Sequence, residues 1–217
     1  MNDKELVIFD LDGTLLNTIA DLATATNYAL VQCGYPEHPV DAYRNFVGNG
    51  IRKLFERALP EEARTVEHIE ELRTYYLSYY TEHNTDHTTY YEGIPELLDS
   101  LNRRGIALAV ASNKYQEGAE KVVRHYFPHI PFVVVFGQRD GVPAKPDPTV
   151  VFEILDRTGI AVSRTLYVGD SGVDMQTARN AGVESVGVLW GFRSEEELQE
   201  NGAKHIACVP DDILRWL

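Results

Sequence analysis

Short apolar runs of strand length, separated by polar turns and helical stretches, restrict what this chain can fold into more than any other feature. They fall at Leu6–Phe9, Ile106–Ala111, Phe132–Phe136, Leu166–Val168 and Val186–Leu189. Most are continuously apolar rather than alternating, which predicts strands covered on both faces, as in a parallel sheet. Between them the sequence predicts helices at Ile94–Arg104, closed by Gly105, and at Gln116–Phe127. Two more are predicted at Pro148–Thr158, opened by Asp147-Pro148 and closed by Gly159, and at Gly172–Ala181, closed by Gly182. These are start and stop residues at the expected ends. Strands alternating with helices of this length predict an α/β fold, a doubly wound parallel sheet with right-handed crossovers.

The alternation is interrupted once. From Leu16 to about Thr88 no strand-like run occurs, only helical periodicity: Ile19, Leu22, Ala23, Thr26 and Leu30 share one face, and Ile69, Leu72, Tyr76 and Tyr79 form a second stripe. The expected organisation is a core built from residues 1–15 and 89–217, with an all-helical cap at 16–88 inserted after the first strand. The tyrosines of this region (Tyr75, Tyr76, Tyr79, Tyr80, Tyr90, Tyr91) are expected to pack rather than to form a stacking surface.

Composition narrows the function classes. The 217 residues are 44% hydrophobic, enough for a sizeable core without disulfide or metal staples, and the formal net charge is −13. That average field repels a phosphate backbone, so nucleic acid is not an expected partner. Cys33 and Cys208 form no CxxC pair, which fits a reducing, cytoplasmic setting. No apolar run approaches the roughly 18 residues of a membrane span, and the N-terminal stretch Met1–Asp12 is acidic rather than leader-like. A membrane partner is therefore not expected, and the expected state is monomer or homodimer.

In open α/β sheets ligands bind beyond the carboxyl ends of the strands, so the residues after each apolar run are the informative ones. They are Asp10-Leu11-Asp12-Gly13-Thr14, then Ser112-Asn113-Lys114, then Gly169-Asp170-Ser171-Gly172-Val173-Asp174; Lys145-Pro146-Asp147-Pro148 opens a helix downstream of the third run. Asp10 and Asp12, one residue apart, can take different roles if the chain turns at Gly13. One carboxylate beside a cation can attack phosphorus; the other can protonate the leaving oxygen and then activate water. Gathering Asp10, Asp12, Asp170 and Asp174 implies a hard divalent cation, and oxygen-only ligands with phosphate chemistry favour Mg²⁺. Lys145 adds positive charge, and Ser112 with the amide of Asn113 can hold phosphate oxygens.

These four segments, in this order and spacing, resemble the four motifs of the haloacid dehalogenase superfamily, and the likeness spans almost the whole chain. The helical insertion resembles that superfamily's small helical cap; Val47-Gly48-Asn49-Gly50-Ile51-Arg52 and Gly34-Tyr35-Pro36 resemble the cap of phosphoglycolate phosphatases. The resemblance implies a Mg²⁺-dependent phosphatase acting on a small phosphorylated metabolite, with Asp10 as nucleophile and Asp12 as acid/base. It implies Mg²⁺ bound by the Asp10 carboxylate, the Asp12 backbone carbonyl and Asp170, with Asp174 in support, and phosphate contacts from Thr14, Ser112, Asn113 and Lys145. One departure is Asn17, where many relatives carry aspartate.

A hexose phosphate mutase or a pyrophosphatase is the alternative on the same scaffold. A phospho-aspartate switch is remoter, because its receiver domains lack both an Asp12-type acid/base and an insertion of this size. Arg52, following the Gly48-Asn49-Gly50 turn, is the expected specificity residue, a cation for a second anionic group of the substrate. His83 and His87 have i, i+4 spacing but no third ligand, and are expected at an exposed helix end. Glu195-Glu196-Glu197 after Ser194 predicts a helix N-terminus. Trp190-Gly191-Phe192-Arg193 is expected to pack, with the edge of the site as the alternative.

Overall fold

The computed structural model describes residues 4–217; the first three residues of the acidic N-terminal stretch lie outside the described part. Strand β1 (Leu6–Phe9) is followed by the two-residue strand β2 (Leu16–Asn17), the helices α1 (Ile19–Gln32), α2 (Tyr43–Phe46), α3 (Ile51–Ala58) and α4 (Val66–His83), and the short strand β3 (Thr89–Tyr90). The chain then alternates through α5 (Ile94–Arg103), β4 (Ala107–Tyr115), α6 (Gln116–Tyr126), β5 (Phe132–Gln138), α7 (Thr149–Thr158), β6 (Thr165–Gly169), α8 (Gly172–Ala181), β7 (Glu184–Val188), α9 (Glu195–Glu200) and β8 (His205–Ala207), closing on a 3₁₀ turn at Pro210–Trp216.

Six strands form one parallel sheet in the order β5-β4-β1-β6-β7-β8. Both faces are covered, as the continuous apolar runs require. Val7 and Phe9 pack with Leu97 and Leu101 of α5 and Val122 of α6; Leu6 and Ile8 point the other way and pack with Val151 and Ile154 of α7 and Ala178 of α8. From β1 the chain builds first toward β5 and then, after β5, toward β8. β1 is thus the strand where the order reverses, which opens a crevice at the carboxyl ends of β1, β4 and β6.

Helices α1 to α4 bury their apolar residues against one another. Leu22 and Leu30 of α1, Leu54 and Phe55 of α3, and Leu72 and Tyr76 of α4 belong to a cluster distinct from the two that flank the sheet. Tyr76 and Tyr80 of α4 are buried as expected, whereas Tyr79 stacks on the exposed Tyr28 and Tyr90, on β3, is exposed. α9 begins where the acidic run placed it, with Ser194 Oγ accepting from the Glu197 N–H.

Three features differ from expectation. β2 pairs antiparallel with β3, a strand inside the region read as wholly helical; two residues are too few to show a period. β4 continues beyond Ala111 to Tyr115, with an irregular register against β5, so Ser112-Asn113-Lys114 lies on the strand rather than after it. β8 is a three-residue edge strand, too short for the apolar-run criterion. His83 ends α4 and faces Asp86, whereas His87 lies beyond the helix and donates its backbone N–H to Asp21. Among the described residues no helix is long and apolar enough to cross a membrane.

Candidate active site

The crevice is organised by the turn that follows β1. The N–H groups of Leu15 and Leu16 both return to the Leu11 carbonyl, and Gly13 takes φ +93°, a left-handed conformation that glycine adopts without strain. The turn sends the two aspartates to different partners. Asp10 Oδ1 accepts from Lys145 Nζ at 2.8 Å, whereas both oxygens of Asp12 accept from Lys114 Nζ, at 3.0 and 3.2 Å.

Asp170 follows β6 and Asp174 occupies the first turn of α8. Asp174 Oδ2 accepts from the Ser171 N–H and hydroxyl at 3.1 and 2.6 Å, the capping arrangement that starts the helix. Its Oδ1 accepts from Lys145 Nζ at 2.8 Å and from the Tyr167 hydroxyl at 3.3 Å. Asp170 accepts from the Thr14 hydroxyl at 3.3 Å and from the Phe192 N–H at 2.8 Å. Carboxylate oxygens of Asp10, Asp170 and Asp174 all lie within 4.8 Å of one another. Asp12 contributes no carboxylate to this group.

The electrostatics follow from burial. Asp10 is pushed up to about 7 by loss of solvent and then by the charge of Asp174, with Lys145 pulling the other way. Burial, then Asp174 and Asp10, also raise Asp170 well above the usual carboxylate range. Burial disfavours charge on Lys145, but Asp10 and Asp174 overcome it, so its ammonium is held more firmly than in water. Three buried carboxylates against one lysine leave negative charge uncompensated. Oxygen donors at this spacing fit a hard divalent cation of the Mg²⁺ type.

The other expected residues are distributed as follows. Ser112 and Asn113 are buried at the carboxyl end of β4. Ser112 Oγ accepts from the Lys114 N–H at 3.2 Å, which leaves its own O–H to donate. The Asn113 side chain is occupied: its amide donates to the carbonyls of Gly48 and Lys145, and its oxygen accepts from the Lys145 N–H. A cavity of about 50 Å³ separates Asp10, Asp12, Ser112 and Lys114 from Leu22, Val47, Ile51, Leu54 and Tyr76 of the helical insertion. Arg52 is not brought there. It is exposed, ion-pairs with Glu56 at 3.1 Å, and faces a neighbouring groove; one helical turn separates the two residues on α3, so the nearby carboxylate captures the guanidinium.

Lys114 and Tyr167 contribute in ways that local sequence does not signal. Lys114 was visible beside Asn113, but nothing in the sequence indicated that it would pair with Asp12. Tyr167 lies in an apolar run, where a buried hydroxyl cannot be distinguished from core. The Trp190–Arg193 segment, expected to pack with the edge of the site as the alternative, takes that alternative: Trp190 Nε1 donates to the Thr14 carbonyl at 2.9 Å, the Phe192 N–H holds Asp170, and Arg193 donates to the Val47 carbonyl at 2.8 Å.

Comparison with known proteins identifies the family. Residues 7–188 match the model of the haloacid dehalogenase-like hydrolases. The phosphoglycolate phosphatase of Psychrobacter arcticus is 31% identical over 208 residues, covering 91% of this chain and 89% of its own. That of Aquifex aeolicus is 33% identical over 192 residues, covering 86% and 85%. The crystal structure of a predicted phosphoglycolate phosphatase from Haemophilus somnus superposes with a TM-score of 0.91 at 27% identity, covering 99% of this chain and 98% of that one. This chain belongs to the haloacid dehalogenase-like hydrolase family and is a phosphatase.

Proposed function

We propose that the enzyme hydrolyses a small phosphate monoester carrying a second anionic group, of which phosphoglycolate is the model, through an aspartyl phosphate on Asp10. The observation that carries this reading is the separation of the two aspartates. Asp10 is buried with one oxygen fixed by Lys145 among Asp170 and Asp174, while Asp12, two residues on, faces the same cavity with a different partner.

In this reading the free Asp10 oxygen attacks phosphorus as the bond to the leaving oxygen breaks, and Asp12 gives that oxygen its proton. Asp12 then takes a proton from water as the water oxygen attacks the aspartyl phosphate, which returns the Asp10 carboxylate and releases inorganic phosphate. Ser112 donates its free O–H to a phosphoryl oxygen and the backbone N–H of Asn113 holds another, while the Thr14 hydroxyl, donated to Asp170, acts through that carboxylate. Lys145 orients Asp10 and opposes the rise in its pKa. Mg²⁺ would be held by the Asp10 carboxylate, the Asp12 carbonyl and Asp170, with Asp174 in support, and would supply charge neutralisation for the phosphoryl group.

The division into a core of residues 1–15 and 89–217 and a cap of 16–88 belongs to the same proposal. The apolar side chains of the insertion face the aspartates across this cavity, so in this reading the cap lifts for substrate and closes to exclude water. The β2–β3 pair, where the chain enters and leaves the insertion, is the natural hinge. A screen of phosphorylated metabolites for Mg²⁺-dependent phosphate release tests the reading. Release of phosphate from phosphoglycolate supports it; interconversion of sugar phosphate isomers without phosphate release favours a mutase.

A further inference from the structure

We propose that Lys114 is the specificity residue of this site, the cation that meets the second anionic group of the substrate. This rests on the function proposed above and adds to it the residue that selects the leaving group. The four motifs bring the phosphoryl group to Asp10, but they do not say what reads the rest of the molecule.

The cavity itself supplies the argument. Among its lining residues Lys114 is the sole cation. The wall contributed by the insertion is apolar apart from the Tyr76 hydroxyl and backbone groups, with Leu22, Val47, Ile51 and Leu54 facing the aspartates. The nearby arginines are committed elsewhere. Arg52 pairs with Glu56, Arg57 donates to the Phe46 carbonyl and to Asn49, and Arg193 donates to the Val47 carbonyl. Lys145 is spent on Asp10 and Asp174. An anionic group entering beside the phosphate therefore meets one ammonium.

Lys114 is placed for that task. Its side chain is 3% exposed, and its one carboxylate partner among the described residues is Asp12. The ring of Tyr80, from α4, lies 4.9 Å from its Nζ, a cation–π contact that roofs the ammonium from the insertion side. An ammonium has three donors; both oxygens of Asp12 accept from it and the Tyr80 ring covers it, yet Lys114 still lines the cavity, so a donor remains for a second anion. The position next to Ser112 and Asn113 puts this charge beside the phosphate pocket rather than in it. An acid phosphate with its phosphoryl group at Asp10 would turn its carboxylate toward Lys114, while an uncharged leaving group would find the apolar side chains of Leu22, Val47, Ile51 and Leu54 and the two tyrosines.

The test compares phosphoglycolate with ethyl phosphate, which has the same chain length and no carboxylate, in wild type, Lys114→Met, Lys114→Gln and Lys114→Arg. Loss of the ion pair to Asp12 slows both substrates, so the informative quantity is the ratio of their kcat/KM values. Wild type is expected to prefer phosphoglycolate. Lys114→Met and Lys114→Gln should lower the ratio by about 10-fold to 100-fold, the range for losing one charged hydrogen bond, chiefly through KM for phosphoglycolate. Lys114→Arg should restore most of it. Two uncharged variants of different polarity guard against one failing to fold, and both are checked by thermal melting. An unchanged ratio in the uncharged variants overturns the proposal and leaves Lys114 as a support for Asp12. A wild type that hydrolyses both esters equally overturns it too, with the phosphatase intact. A wild type that hydrolyses no phosphate monoester instead defeats the underlying function.

Discussion

A Cβ on Gly191 would stand 2.2 Å from the Cβ of Asp170 and 2.5 Å from its Oδ2. The loop after β7 closes directly onto a carboxylate of the cation cluster, and only a hydrogen fits between them. The neighbouring Phe192 N–H donates to the same Oδ2, so the loop both crowds and orients Asp170.

Gly191→Ala should therefore push Asp170 out of place while leaving the sheet intact. Because misplacement by about 1 Å costs on the order of 100-fold in rate, phosphatase activity should fall by about that much, with partial recovery at raised Mg²⁺. Activity titrated against Mg²⁺, alongside a thermal melt, checks this; wild-type activity at limiting Mg²⁺ contradicts it.

Asp12→Asn should slow turnover by about 10²- to 10⁴-fold, the range for general acid/base catalysis. It should also lower the melting temperature, since Lys114 is left buried without its carboxylate. In single-turnover measurements an aryl phosphate, whose leaving group needs no proton, should lose less in the first displacement than an alkyl phosphate. Equal losses would remove Asp12 from the acid role.

The raised carboxyl of Asp10 makes a prediction about pH and metal together. Burial lifts it from 3.8 to about 7, so in metal-free protein the native state binds more protons than the unfolded chain between those values. Its stabilisation is present below the lower value and lost as pH rises through the upper one. Asp170 is raised in the same direction. Mg²⁺ binds the ionised forms, so the rise in melting temperature from chelator to Mg²⁺ should be larger at about pH 7.5 than at about pH 5.5. The chelator should stop turnover at both without unfolding the protein. Equal shifts at the two pH values would contradict the arrangement.

Arg52→Ala should change kcat/KM for phosphoglycolate by less than about 3-fold, because its exposed guanidinium pairs with Glu56 and does not line the cavity beside Asp10. A 10-fold loss specific to the carboxylate substrate would return the specificity role to Arg52.

The sheet was legible because burial on both faces writes itself as unbroken apolar runs, and β1 falls at Leu6–Phe9 as read. The helix caps were legible for a related reason: Gly159 and Gly182 take left-handed conformations that other residues rarely adopt. The carboxylate cluster was legible in outline, since Asp10, Asp170 and Asp174 follow strand ends. Local periodicity does not report long-range pairing. Lys114 with Asp12 and Tyr167 with Lys145 join residues far apart in the chain, and an arginine after a glycine turn is no guide to where its guanidinium goes once a glutamate lies one turn away.

The central claim is that Asp10 is the covalent nucleophile of a phosphatase. Release of inorganic phosphate from phosphoglycolate, measured with Mg²⁺ for the wild-type protein and for folded Asp10→Asn, tests it most directly. The account predicts steady turnover by the wild type and none above background by the variant, whose amide cannot form the intermediate. More than a trace of turnover by pure Asp10→Asn would contradict it.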